Sequence, residues 1–222
     1  AYPQSPRGSE VDVYHGVKVP DPHRWLEESE SPETRAWVEA QNAIAQPHLE
    51  SIAARERIKT RLTELWNYER YGIPINRGGR YFYVRNDGLQ NQNVLYVADS
   101  LSAEPRVLLD PNKLSADATI ALGEFEPSPD GRILAYSLSD GGTDCPSWHF
   151  RDVQSGKDLP DVLRFMKFAE VAWTADSKSV YYTRYPVMSN GTGDGSKQRE
   201  VFRHLLGADA LGDPQVYEIT HH

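Results

Sequence analysis

Three stretches of this chain share one pattern: a tight turn, a basic residue, then a run that alternates apolar and polar positions. They are INRGGRYFYVRND (75–87), SPDGRILAYSLSD (128–140) and TADSKSVYYTRYP (174–186). Gly-Gly, Asp-Gly and Asp-Ser supply the turns, and alternation with period two is the signature of a half-buried strand. The turn bases Arg80, Arg132 and Lys178 are spaced by 52 and 46 residues. Each run is followed by a second candidate strand: NVLYVAD (93–99), SWHFRDV (147–153) and EVFRHLL (200–206). A third follows in each case: PRVLLD (105–110), LPDVL (159–163) and PQVYEI (214–219). A repeat of roughly 40–50 residues, each with several short antiparallel strands, is the pattern of propeller blades. A plain antiparallel meander or sandwich gives the same local signals.

Residues 29–69 have a different period. Ser31 is placed to cap a helix, with Pro32 in its first turn and Glu33 at the positive end of its dipole. Trp37, Ala40, Gln41 and Ile44 fall at helical spacing, and Pro47 is expected to break or kink the helix. A second helix carries Ile58, Leu62, Leu65 and Trp66 on one stripe, with Gly72 and Pro74 expected to end it. Residues 11–19 read as an extended lead-in, followed by a corner at Pro20 and Pro22 and an aromatic anchor at Arg24, Trp25 and Leu26. The division expected is 1–72, extended segment and helices, and 73–222, the first blades of a β-propeller.

Thirty-two acidic against twenty-four basic residues give a net charge of −8. That balance argues against nucleic acid or an anionic membrane as partner, since both need basic patches. No apolar run approaches the roughly 20 residues of a membrane span. No signal-peptide pattern is present, which leaves the compartment open between cytoplasm and periplasm. The lone Cys145 excludes an intramolecular disulfide.

The string VDVYHGVKVPDPHRWLEESESPETRAWVEAQN (11–42) closely resembles the N-terminal segment of prolyl oligopeptidases, serine peptidases that cut short peptides after proline. The resemblance continues at NYERYG (67–72), GGRYFYVRNDGLQNQNVLYV (78–97), EPRVLLDPNKLSADATIAL (104–122), LAYSLSDGGTD (134–144) and LPDVLRFMKFAEVAW (159–173). It implies a mainly β fold: about three blades of a seven-bladed propeller, preceded by helices that pack on a C-terminal α/β-hydrolase domain. It also implies that this chain is an N-terminal fragment, inactive alone, of a peptidase whose propeller caps the site and selects substrates by size. Short proline-containing peptides are the expected partners, and no cofactor is implied. A non-catalytic propeller scaffold is the alternative. So is oligopeptidase B, which cuts after basic residues, although LQNQNVLYV and the D-P-N-x-L-S motif favour the prolyl branch.

A serine peptidase needs a nucleophile on a sharp turn, a histidine base and an orienting acid. No G-x-S-x-G occurs, and histidines 15, 23, 48, 149, 204, 221 and 222 sit in unlike contexts. The family's triad belongs to its C-terminal domain, so no catalytic residue is expected here. The terminal pair His221 and His222 makes a poor metal site without other ligands, and no metal is expected. GTGDGSK (191–197) fails the spacing of a phosphate loop and reads as a flexible loop. The stretch from Lys178 to Phe202 is longer than its counterparts, and residues 187–199 are expected to gate substrate entry. Asn190-Gly191-Thr192 is a sequon without a secretory context.

FMKFAEVAW (165–173) alternates its apolar residues as a strand would. By residue type Phe168 and Trp173 are core candidates. The family's K-F-S-x-x-A-W motif, however, carries at the place of Phe168 a phenylalanine that lines an apolar substrate subsite. The motif here reads KFAEVAW, so Phe168 matches and Ala169 departs. The resemblance therefore makes Phe168 the one substrate-binding candidate. GGTD (141–144) also matches, but Cys145 and Pro146 follow where a tryptophan is expected, which predicts a cavity or a shifted loop. Ala118 stands where the family usually has glycine, and Ser177 and Ser179 stand near another such glycine.

Overall fold

The structure, a computed structural model, describes residues 2–29, 31–187, 193 and 197–217. It divides into two compact units, Ala1–Leu65 and Trp66–His222. Among the described residues, no helix is long and apolar enough to cross a membrane.

The first unit opens with a hairpin, β1 (Val11–Tyr14) paired antiparallel with β2 (Val17–Pro20). The expected continuous extended lead-in is therefore folded back on itself. The reversal falls at His15-Gly16, both with positive φ (51° and 82°), as a two-residue hairpin loop requires. A short 3₁₀ turn, Arg24–Glu27, follows. Trp25 packs edge-on against Trp37 at 6.2 Å and donates from its indole nitrogen to the Pro6 carbonyl at 2.9 Å. Arg24 ion-pairs with Asp12 and with Asp21.

Helix α1 (Pro32–Glu50) begins as the sequence predicts: the Ser31 side chain accepts from the Thr34 backbone N–H at 3.2 Å. It does not stop at Pro47. Proline removes one N–H donor, its bond to the carbonyl four residues earlier, and the helix tolerates that loss. The helix continues to Glu50, and the Ser51 N–H bonds back to the carbonyls of Pro47 and His48. Helix α2 (Arg55–Trp66) ends before Gly72 and Pro74, because the chain turns directly into the first sheet.

The second unit holds three antiparallel sheets, the second and third of them consecutive meanders. The first contains β3 (Arg70–Tyr71), β4 (Ile75–Arg77), β5 (Arg80–Asn86), β6 (Val94–Ala98) and β7 (Arg106–Leu109). Both β3 and β4 pair with β5. The second contains β8 (Ile120–Pro127), β9 (Ile133–Asp140), β10 (Ser147–Asp152) and β11 (Asp158–Leu163). The third contains β12 (Val171–Trp173), β13 (Ser179–Arg184), β14 (Glu200–Leu205) and β15 (Gln215–Tyr217). The three sequence repeats mark the same turn in each sheet, between its first and second full-length positions (β4–β5, β8–β9, β12–β13).

Two apolar cores lie between adjacent sheets. One joins Phe82, Leu95, Val97, Leu108 and Leu109 of the first sheet to Leu134, Tyr136 and Val153 of the second. The other joins Ala135, Trp148, Phe150 and Leu163 of the second sheet to Met166, Val171, Val180, Tyr182 and Phe202. Strand β9 thus sends Leu134 and Tyr136 one way and Ala135 the other, which is the period-two alternation expressed as packing.

Polar contacts tie the sheets along the same seams. The turns touch in series: a Cβ on Gly78, at φ 55°, would lie 2.0 Å from the Asp130 carbonyl oxygen, so only glycine permits that approach. Arg80 donates to the Gly131 carbonyl at 2.9 Å, and the Asp130 N–H donates to Ser177 Oγ at 3.2 Å. A second tie recurs from sheet to sheet, with Tyr182 standing 46 residues after Tyr136. In the second sheet Asp158 accepts from Tyr136 Oη (2.8 Å) and Arg151 Nε (2.7 Å), and Arg151 Nη1 reaches the Leu108 carbonyl of the first sheet at 2.7 Å. In the third sheet Asp213 accepts from Tyr182 Oη (2.8 Å) and meets His204 Nδ1 (3.0 Å), while His204 Nε2 meets Asp161 of the second sheet at 2.9 Å. Arg151 sits opposite Leu134, and His204 opposite Val180, so the two clasps occupy equivalent positions.

Candidate functional site

Three loops at one end of the second and third sheets meet at the bend between β11 and β12. The expected strand over 165–173 forms only at Val171–Trp173. Phe165 (φ 64°) and Phe168 (φ 49°) both adopt the left-handed backbone region, which no extended run can contain. For a bulky residue that conformation costs on the order of 1–3 kcal/mol and persists only where the surroundings hold it.

The holding groups are visible. Arg199, from the β13–β14 loop, donates through Nη1 to the carbonyls of Lys167 (2.5 Å) and Phe168 (3.0 Å). The Tyr185 N–H donates to the Phe165 carbonyl at 3.1 Å. Lys167 ion-pairs with Asp144 of the β9–β10 loop at 3.5 Å, and its ammonium lies 5.3 Å from the Phe168 ring centre. Val187 bridges Gly193 across the third loop.

The product of this clamping is a phenylalanine presented to solvent. Phe168 is 74% exposed, whereas Phe165 is half-buried and Met166 fully buried. Burying a phenylalanine is worth about 1.5–3 kcal/mol, so an aromatic ring held outward on a strained backbone offers apolar area to a ligand. Trp173, the other aromatic candidate, is half-buried beside the core and donates to the Glu126 carbonyl at 2.9 Å. A cavity of about 490 Å³ lies beside the bend, lined by Cys145, Pro146, Arg164, Phe165, Lys167 and Tyr185. It stands where Cys145 takes the place of an expected tryptophan.

Of the described histidines, His204 is the most deeply placed, at 0% exposure, and both its ring nitrogens face carboxylates. His149 Nε2 meets Ser147 Oγ at 2.8 Å, with its ring stacked on Tyr136 at 5.6 Å. Burial, aided by Arg164 and Arg151 and opposed by Asp158, lowers the His149 pKa. This pair sits along a strand with no elbow and no hydrogen-bonded orienting acid among the described residues, so it is not a hydrolytic dyad. Among those residues no group of three or more His, Cys, Asp or Glu converges as a metal site would. The gating expectation for 187–199 falls largely on 188–192 and 194–196, outside the described residues, as do the sequon at 190–192 and His221 and His222. Arg199 and Phe165 were not foreseen. A lone arginine in KQRE and a second phenylalanine in FMKF carry no local signal that distinguishes them.

Three successive antiparallel sheets of four or five strands with apolar cores between neighbours are the arrangement of propeller blades. A family model for the prolyl oligopeptidase N-terminal β-propeller domain matches residues 3–222, and the chain belongs to that family. The prolyl endopeptidase of Elizabethkingia meningoseptica is 34% identical over 217 residues, covering 97% of this chain and 30% of the relative. The dual function macrocyclase-peptidase of Amanita bisporigera is 33% identical, covering 96% of this chain and 33% of the relative. A solved prolyl endopeptidase superimposes with a TM-score of 0.83 at 36% identity, covering 99% of this chain and 33% of that one. Prolyl oligopeptidase B of Galerina marginata, solved with a 35mer hydrolysis and macrocyclization substrate, gives a TM-score of 0.74 at 30% identity. The chain spans about a third of the length of these relatives.

Proposed function

We propose that this chain is the N-terminal part of a serine endopeptidase that cleaves short peptides after proline, with its blades acting as a size-selecting cap. The chemistry would be supplied by a C-terminal α/β-hydrolase domain of the same protein, through a nucleophile, a histidine base and an oxyanion hole. The exposed stripe of α2 supports that arrangement: Ile58, Leu62, Leu65 and Trp66 are each 50–58% exposed, which is costly for a helix unless another surface covers it. Phe168 is the wall of an apolar substrate subsite. Residues 187–199 gate substrate entry.

The observation that carries this reading is the clamped, outward Phe168 in a chain of this family. The test uses the intact protein and a Gly-Pro-linked chromogenic peptide. Hydrolysis is expected, with Phe168→Ala raising KM several-fold and leaving kcat nearly unchanged, since a wall binds ground and transition states alike. A folded protein substrate should resist cleavage where its short peptides are cut. Unaltered KM in Phe168→Ala removes the subsite assignment; no turnover of any proline peptide removes the peptidase reading.

A further inference from the structure

Arg184, at the end of β13, is a side chain the repeat does not require. Its counterpart 46 residues earlier is Leu138, and 52 residues before that, Asn86. An apolar or neutral residue therefore satisfies the blade at this position. Arg184 nevertheless carries a permanent charge into a site where it is only 7% exposed. Its guanidinium stacks over the Phe202 ring at 4.1 Å, and Nη1 donates to the Ala210 carbonyl at 3.1 Å. Its Nε is sealed from solvent and has no hydrogen-bond partner among the described residues. Glu200 sits directly across the strand pair, yet no carboxylate ion-pairs with Arg184 among the described residues. A buried guanidinium with no carboxylate beside it is costly unless an anion meets it.

The space for that anion adjoins it. A cavity of about 400 Å³ is lined by Arg184, by the exposed Arg164, and by apolar walls from Phe165, Val187 and Leu211. Two acids also line it, and both are already engaged. Asp161 accepts from Gly207 N–H and meets His204 Nε2, and Asp209 accepts from the Leu211 N–H at 3.0 Å. Two arginines balance the two hydrogen-bonded acids in this lining, whereas the chain as a whole carries −8.

We propose that this cavity is a carboxylate site, taking a compact carboxylate carried on an apolar body. Guanidinium forks match carboxylates bidentately, and the apolar walls favour such a group over a strongly hydrated inorganic anion. The free C-terminus of a short peptide is the source favoured by the peptidase reading, and to that extent the inference rests on it.

Calorimetric titration of the intact protein tests the site without turnover. The probes are N-acetyl-Ala-Leu as free acid, the same dipeptide as its amide, and benzoate. The acid is expected to bind about tenfold or more tighter than the amide, as for a hydrogen bond to a charged group. Arg184→Leu, the residue the second blade carries, should erase that preference, and Arg164→Gln should reduce it about threefold. Equal binding of acid and amide by the wild type overturns the proposal, as does a full preference retained in a folded Arg184→Leu. If Arg184→Leu does not fold, Arg164→Gln decides: an unchanged preference there overturns the site. Benzoate binding as tightly as the peptide acid supports the site and assigns a free carboxylic acid as its source. A clear acid preference in a protein that cuts no proline peptide keeps this site and discards the peptidase reading.

Discussion

The two units of this chain hold their apolar residues in opposite ways. In the sheets, Phe82, Leu95, Leu134, Phe150, Leu163 and Val180 are each fully buried at 0% exposure. In the helices, Thr34 alone is buried among the described residues, while Ile44, Leu49, Ile58 and Leu62 are 38–52% exposed. The sheets bury one another because each blade offers two faces and its neighbours supply the complements. A pair of amphipathic helices and one short hairpin has no such complement within its own 65 residues. Stability in this chain therefore resides in the blade seams, and the helices keep their apolar stripes exposed.

Truncating a seam is the strongest way to break that contrast. Phe150→Ala should cost about 3–5 kcal/mol, the range for a large buried aromatic. Ile58→Ala in this isolated chain should cost under about 0.5 kcal/mol, as for an exposed surface position. Urea midpoints of both variants check the pair, and comparable losses would abolish the distinction. Gly78→Ala comes next, at about 2 kcal/mol or more. It combines a left-handed backbone with a Cβ driven into the Asp130 carbonyl, and backbone cannot step aside as a side chain can.

The seams were legible because period and turn agree. The six strands expected after the turns, from NVLYVAD to PQVYEI, match β6, β7, β10, β11, β14 and β15 to within a residue or two over the described part. Strand β8 was not read, because a bulge between Leu122 and Phe125 breaks its alternation. The bend at 165–170 was misread for the opposite reason. FMKFAEVAW keeps a strand-like alternation while Phe165 and Phe168 turn left-handed, and only tertiary hydrogen bonds from Arg199 and Tyr185 hold them there. Phe168 is singled out only by family resemblance, and its outward pose is a property of those clamps. Buried Arg184 was invisible, since a lone arginine near a strand end ordinarily reads as solvated.

Acid sharpens the comparison by a smaller amount. Burial raises the Asp158 pKa, but hydrogen bonds from Arg151 and Tyr136 outweigh it and the net shift is downward. A carboxyl lowered in the folded state contributes stability above its unfolded value, about 3.9, and loses it as pH falls through the folded value. The clasp between the first and second blades should therefore weaken below about pH 4. Arg151→Met should flatten the stability profile between pH 5 and 3, read from urea midpoints. An unchanged acid slope in that variant would assign the loss to other carboxylates.

The smallest effects separate two non-glycine residues that share one backbone conformation. Ala118 has φ 54° and Ser177 has φ 59°. An L-residue there is disfavoured by roughly 1–2 kcal/mol, whereas glycine is not, although glycine also gains freedom in the unfolded chain. For Ala118 the methyl group makes no compensating hydrogen bond, so Ala118→Gly should stabilise by about 0.5–1 kcal/mol. Ser177 differs because its hydroxyl accepts from the Asp130 N–H and its side chain is buried at the seam. A bond of that kind is worth about 1 kcal/mol, and its loss leaves the Asp130 donor unpaired. Ser177→Gly should then fall within about 0.5 kcal/mol of the parent, the relief of strain offset by the lost bond. If both glycine variants stabilise equally, Ser177 contributes nothing to the seam, and the series of turn-to-turn contacts ends at the second blade.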